Sequence, residues 1–178
     1  MNLKHLLAVV LLVAAIPTVA GIAFAGNGDE RSATATAGAV QATTAFHDVE
    51  AAVAAGYGEF RDAANIACIQ HPTLGTMGIH YVNGSLVGDA VIDATQPEAL
   101  VYEPEANGNL KLVALEYIVF QEAWDATHSQ KPSLFGQEFD STSGDNRYGI
   151  PAFYSLHAWL WKPNSAGLLE PWNPGAHC

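Results

Sequence analysis

The sequence predicts an α+β domain, with an N-terminal helix packed on a curved antiparallel sheet or a partly closed β-barrel. Three observations point there. An Ala-rich stretch ahead of residue 57 carries apolar side chains at helical spacing. Beyond Cys68 the chain falls into short apolar runs cut by Gly, Pro, Asn and Asp. One of these runs, Leu110 to Phe120, is long enough to be a central strand. A helix followed by several strands, without regular alternation of the two, argues for antiparallel pairing with the helix covering one face. The length of 178 residues suits one domain with a core of its own, needing no dense framework of metals or disulfides.

Taken in order, residues 1–25 read as a secretory signal peptide. Lys4 and His5 form a basic start, Leu6 to Ala15 an apolar run, and Pro17 breaks the helix. Ala23-Phe24-Ala25 then offers small residues where a signal peptidase inspects them, so cleavage is expected after Ala25. An uncleaved anchor is the alternative, because the apolar stretch is almost long enough to span a bilayer, but an anchor gives the Ala-x-Ala pattern no role. Residues 26–37, rich in Gly, Ala, Ser and Thr, are expected to be a flexible N-terminal segment, and residues 38–178 the single globular domain. Phe46, Val49, Val53 and Tyr57 recur at spacings of three and four and mark one stripe of the first helix. Gly56 is placed to end it, and His47, Asp48 and Glu50 lie on its solvated side.

Strands are expected over Met77 to Asn83, followed by an Asn83-Gly84 turn, and over Glu98 to Glu103 between two prolines. Leu110 to Phe120 follows a loop containing Asn107-Gly108-Asn109, which predicts a hairpin of those two runs. Leu134 to Phe139 is a weaker strand, Ser141 to Gly149 a polar loop, and Ala152 to Trp161 a strand or short helix.

Composition narrows the function classes. Seven Lys and Arg stand against eighteen Asp and Glu, for a formal net charge of −11. Such a surface repels phosphate backbones and anionic headgroups, so neither nucleic acid nor, after signal-peptide cleavage, a membrane is an expected partner. With 49% hydrophobic residues the chain is no disordered acidic tail. Export places the two cysteines in an oxidising compartment, where Cys68 and Cys178 most simply form a disulfide. Closing a loop of about a hundred residues stabilises by roughly 4–5 kcal/mol in the chain-entropy picture, less any strain. A thiolate metal ligand or a nucleophile is the alternative use.

Chemistry points to Glu116. It sits in Leu112-Val113-Ala114-Leu115-Glu116-Tyr117-Ile118-Val119-Phe120, where strand alternation puts Leu112, Ala114, Ile118 and Phe120 on its own face. A carboxylate so surrounded needs a partner, a proton or a cation. Lys and Arg are scarce, and among them Lys111 alone sits in an expected strand, which favours His or a metal. His80 lies in a strand between Gly78 and Val82, whose small side chains leave space above the sheet. His157 shares its strand with Trp159 and Trp161. Adjacent strands would gather His80, Glu116 and His157 into one pocket walled by Trp159 and Trp161, with Glu103 either a fourth, ligand-binding member or an exposed hairpin residue. Two imidazoles and a carboxylate with an open position suit Zn, Fe, Mn or Cu as divalent ions. The same three without metal could form an acid–base pair, or a purely structural polar cluster. His71, His128 and His177 read as loop residues. Gly-x-Ser-x-Gly, Gly-x-x-x-x-Gly-Lys and His-Glu-x-x-His are missing.

Several of these segments also occur together elsewhere. Met77-Gly78-Ile79-His80-Tyr81-Val82-Asn83, Pro97 to Pro104, Leu112 to Tyr117, Leu156-His157-Ala158-Trp159-Leu160-Trp161 and the Trp172-Asn173-Pro174 segment ahead of Cys178 resemble the motifs of an uncharacterised family of small exported bacterial proteins. The resemblance spans roughly residues 40–178. It implies one exported domain, secreted or otherwise extracytoplasmic, and brings no reaction or catalytic residue with it. Three functional readings follow. The leading one is a protein that binds a metal ion or small ligand in a His/Glu pocket. The second is a small extracytoplasmic enzyme using the same residues. The third is a structural or interaction protein with exposed Trp and Tyr residues, a wide apolar patch and no polar-lined cavity.

Overall fold

A computed structural model describes residues 26–178; the expected signal peptide lies outside the described residues. The fold is α+β. Helix α1 (Gly26–Thr43) leads through a short 3-10 turn (Thr44–His47) into α2 (Val49–Ala54). Residues 26–37, expected as a flexible segment, are thus helical. Ala33, Ala35 and Ala37 supply helix propensity in its second half, and Thr34 and Thr36 turn their hydroxyls back to carbonyls four residues earlier. The first helix is also not continuous through residue 55. Asp48 takes an extended conformation (φ −91°, ψ 112°) and its carboxylate accepts the N–H of Glu50. It is exposed, as expected of the solvated face, and it is also the N-cap that restarts the helix. Gly56, at φ +95°, ends α2 as expected. Along the predicted stripe Tyr57 is buried and donates to the Pro97 carbonyl (2.7 Å), whereas Val53 is 49% exposed.

The strands are β1 (Gly58–Glu59), β2 (Cys68–His71), β3 (Gly75–Val82), β4 (Ala99–Pro104), β5 (Leu110–Phe120), β6 (Ser133–Leu134), β7 (Gln137–Glu138), β8 (Asp140–Thr142) and β9 (Phe153–Ala158), with short helices α3 (Gly84–Val87) and α4 (Gln121–Asp125) between them. Seven strands form one antiparallel sheet in the order β1-β3-β4-β5-β9-β8, with β2 also paired to β3; β6 and β7 make a separate hairpin. The β4–β5 hairpin lies where the sequence put it. The expected Asn83-Gly84 turn is the start of α3, with Asn83 capping it through Ser85 N. Ala152 to Trp161 resolves to a strand, β9. The sheet is not closed between its β1 and β8 edges, so the barrel expectation is met only in part.

The two faces have different jobs. Leu100, Tyr102, Leu112, Leu115, Tyr117 and Leu156 belong to the main core, together with Ala39 of α1 and Ala52 of α2. The opposite face carries Ala99, Val101, Ile118, Phe153 and the candidate ligands. A bulge at Val113, between the pairs Val101↔Ala114 and Tyr102↔Leu112, reverses the alternation. Leu112 therefore sits with the main core and not on the Glu116 face, contrary to strict alternation.

The chain beyond β9 runs back across the Glu116 face as an irregular strap. It is tied down by the Thr76↔Asn173 bridge and by the Cys68–Cys178 disulfide, whose Cα atoms are 5.7 Å apart. Gly75, at φ +102°, has no room for a side chain, since a Cβ there would collide with the Asn173 carbonyl. No helix among the described residues is long and apolar enough to cross a membrane.

Candidate metal centre

Glu116 on β5 and His157 on β9 are direct cross-strand partners. His80 on β3 comes from two strands away and leans over β4, which places Ala99 opposite Glu116 and Val101 opposite His80. Strands two apart are separated by about 9–10 Å, a gap that long side chains such as His and Glu close between them. The sequence expectation of convergence is met. His80 Nε2 lies 3.3 Å from Glu116 Oε2 and 3.4 Å from His157 Nε2, and His157 Nδ1 is 3.6 Å from Glu116 Oε1. One ligating atom from each residue falls within 4.8 Å of the others, and all three residues are buried.

The electrostatics leave Glu116 and His157 able to act as ligands. Burial pushes the Glu116 carboxyl up, but the His157 and His80 imidazoles, with a hydrogen bond from Ser155, outweigh it and hold the group at about 2. Glu116 is therefore an anion at neutral pH. Burial holds His157 below the ordinary imidazole range, against the pull of Glu116 and with the help of His80. A neutral imidazole keeps a lone pair for a metal. The contacts of 3.3–3.6 Å are long for charge-assisted hydrogen bonds, which run to about 2.7–2.9 Å. Ligand atoms around one tetrahedral ion at about 2.0–2.1 Å are separated by ~3.3–3.4 Å, and two of the three contacts match that spacing. The group could hold a metal ion.

His80 and Glu116 also line a cavity of about 450 Å³ on this face. Its walls are Val82, Val87, Ile118, Phe120, Ile150 and Phe153, with Phe60 and Tyr148 beside them. Burial and then the Glu116 charge push the Tyr148 phenol up to about 12. The segment carrying Tyr148 and Ile150 is fastened by Arg147, which donates twice to Asp62 (2.6 and 3.1 Å). Arg147 holds the Asp62 carboxyl below the usual range. The space does not come from Gly78, where a Cβ would lie 2.8 Å from the Tyr102 oxygen. It opens beside Gly58 and Gly84, whose added Cβ atoms would meet nothing within 4 Å.

Three expected site residues take other places. Trp161 packs on the helix side of the sheet, edge-on to His47 with ring centroids 4.4 Å apart, because the chain turns out of β9 after Ala158. Trp159 does share the His157 face, with its ring 6.4 Å away. Its indole lies under the strap, donating to the Glu170 carbonyl (2.7 Å), and does not line the cavity. Glu103 lies apart from the metal centre and is neither its fourth member nor an exposed hairpin residue. It is buried, accepts two hydrogen bonds from Lys162 Nζ (2.7 and 3.0 Å), and is met by His177 through both its backbone N–H and its ring. His177, expected as a plain loop residue, thus helps clamp the strap.

The sequence reading missed Phe60, Val87, Tyr148 and Ile150 as cavity walls. Tyr148 and Ile150 were legible in principle as bulky apolar residues in the otherwise polar stretch from Ser141 to Gly149 and its continuation. Asp62 and Arg147, 85 residues apart, carried no local signal. Compared with protein-family models, curated proteins and solved structures, the chain matches none significantly.

Proposed function

We propose that this protein is an exported binding protein for a divalent transition metal, with His80, Glu116 and His157 as its ligands. The observation that carries the reading is the spacing of the three buried side chains. They are too far apart to satisfy one another well by hydrogen bonding, and His80 Nε2 stands from Glu116 Oε2 and from His157 Nε2 at the separations that a shared ion imposes. A buried carboxylate with no Lys or Arg at hand is costly, and a cation removes that cost. Zinc, iron, manganese and copper all accept two imidazoles and a carboxylate.

Export is supported by the Cys68–Cys178 bond, since disulfides persist in oxidising compartments. Sequencing of the exported protein should begin at Gly26. Neither nucleic acid nor a membrane surface is proposed as a partner, on the grounds of the acidic charge balance.

Elemental analysis of the untagged protein should find metal in stoichiometric amount, lost in His80→Ala and Glu116→Gln. A protein that stays metal-free after reconstitution with each of these ions refutes the reading. A second reading, metal-dependent catalysis, is favoured by one specific feature: His80 and Glu116 share a face and line the cavity. Three protein ligands leave a tetrahedral ion a position for water or substrate. A pH–rate profile that vanishes with the metal would establish it. The interaction-protein reading loses its support, because none of Trp124, Trp159, Trp161 and Trp172 is exposed and the cavity has a polar floor.

A further inference from the structure

From the chemistry of the cavity above these ligands, and resting on the metal reading just given, we infer that the loaded centre captures a small apolar monoanion, a carboxylate with a hydrocarbon or aromatic body, carboxylate end towards the metal.

Charge comes first. Among the described residues no Lys or Arg lines the cavity, and its two charged wall residues, Glu59 and Glu116, are both acidic. Without metal, an anion entering this space meets the Glu116 carboxylate in apolar surroundings and no Lys or Arg to hold it. A divalent ion reverses the balance. With Glu59 paired to Arg61, the ion together with the single charge of Glu116 and two imidazoles bound through their lone pairs leaves one positive charge, in a place where water does little to screen it. One monoanion neutralises that charge; a dianion overshoots it, and a neutral molecule leaves it buried and uncompensated.

The walls define the rest of the molecule. Val82, Val87, Ile118, Phe120, Ile150 and Phe153 offer nothing to a sugar, peptide or other polyhydroxylated body, which would surrender its hydration without replacement. Among the lining side chains Tyr148 alone carries a hydroxyl. A volume of about 450 Å³ lies at the small end of ligand pockets, which run roughly 300–1,000 Å³. The fit is therefore to a compact body such as one aromatic ring or a short hydrocarbon chain. The metal becomes a condition for binding: apolar contact supplies affinity, and the ion lifts the electrostatic exclusion.

Cobalt(II) makes this testable, because its visible spectrum reports changes at the metal. The full exported protein, loaded with cobalt, is titrated with benzoate, benzamide and acetate, and the metal-free protein with benzoate. Benzoate should perturb the cobalt spectrum and bind about tenfold or more tightly than acetate, which has no ring to bury. It should also bind about tenfold or more tightly than benzamide, which lacks the charge, and not measurably to the metal-free protein. A loaded protein that ignores benzoate, or binds acetate or benzamide equally well, overturns this inference and leaves the metal reading standing. A protein that takes up no cobalt or other divalent transition metal overturns both.

Discussion

Glu116 and His157 stand directly opposite each other in the β5–β9 ladder, so the carboxylate and one imidazole of the centre are set by strand register alone. His80 completes the group only because β4, lying between, presents Ala99 and Val101 instead of bulky or charged side chains. The centre therefore responds to changes in ligand identity more directly than to changes in the loops around it.

Metal should stabilise the folded chain through this group. At about a hundredfold excess over its Kd a ligand specific to the folded state adds about 2.7 kcal/mol, equivalent to a rise in Tm on the order of 5–10 °C for a domain of this size. Scanning calorimetry with zinc should show that rise in the wild type. In His157→Phe it should be absent, because the imidazole is gone while the apolar volume is kept. An equal rise in both would place the metal elsewhere.

Glu98 gives the fold a pH dependence that comes mainly from its own burial. It is 1% exposed, and its carboxylate accepts the N–H of Ile118 (2.9 Å). Burial, against the hydrogen bonds it accepts, pushes its carboxyl up to about 8. A group raised in the folded state binds a proton that the unfolded chain has already released. Its contribution is thus full below the ordinary carboxyl range and is lost as pH rises to about 8. The loss over that interval is on the order of 3–5 kcal/mol. Glu98→Gln keeps an acceptor for Ile118 and removes the ionisation. Denaturation at pH 5 and pH 8.5 should show wild-type stability falling across the interval by more than that of the variant. Parallel curves would assign the pH dependence to other groups.

Glu103 should behave as a clamp on the C-terminal strap. Lys162→Met removes its main cation and leaves a buried carboxylate with the more exposed His177. The cost should be about 1–3 kcal/mol, the partial exposure of Lys162 limiting it. Adding Glu103→Gln to Lys162→Met should recover part of the loss in urea unfolding, and metal content should stay unchanged throughout. Loss of metal in either variant would return Glu103 to the centre.

Gly78 is held at φ +99°, where β3 skips Met77 in its pairing with β2, and a Cβ there would stand 2.8 Å from both the Tyr102 oxygen and Val101 Cγ1. Gly78→Ala should cost about 2 kcal/mol or more, since both the left-handed backbone and the contact oppose it. It lies two residues from His80, so a weakened metal affinity should accompany the loss. Chemical denaturation and metal titration of the same variant check both, and an unchanged stability would show that β3 can relax its bulge.

Much of this was legible before any coordinates. Glu116 stood out because an acid inside an unbroken apolar strand is expensive, and His80 and His157 because each lay in a strand segment with few polar neighbours. The β4–β5 hairpin followed from two apolar runs around an Asn-Gly loop. Other features resisted the same reasoning. Strict alternation put Leu112 beside Glu116, and the bulge at Val113 undid it. The rule that neighbours two apart in a strand share a face carried Trp161 to the His157 side, but β9 ends at Ala158 and the periodicity ends with it. Asp48 is the solvated acid the sequence suggested, but only its backbone showed it capping a new helix.

By itself the sequence determined what local physics can encode: the helical stretch and its Gly56 stop, the strands β3, β4, β5 and β9 (but not β1 or β2, nor β8 in the expected loop from Ser141), the acidic charge balance, the pairing of two cysteines, and which polar side chains fold into apolar surroundings. Tertiary structure alone decided which of those side chains meet. The strand order β3-β4-β5-β9 brought His80 within 3.3 Å of Glu116. It also sent Glu103 to Lys162 and His177 and joined Asp62 to Arg147 across 85 residues. The physical reason is that backbone propensity and hydrophobic period act over a few residues. The register between distant strands depends instead on how the whole set of faces packs, so the open cavity over Glu116 exists only once β3, β5 and the loop carrying Tyr148 are in place.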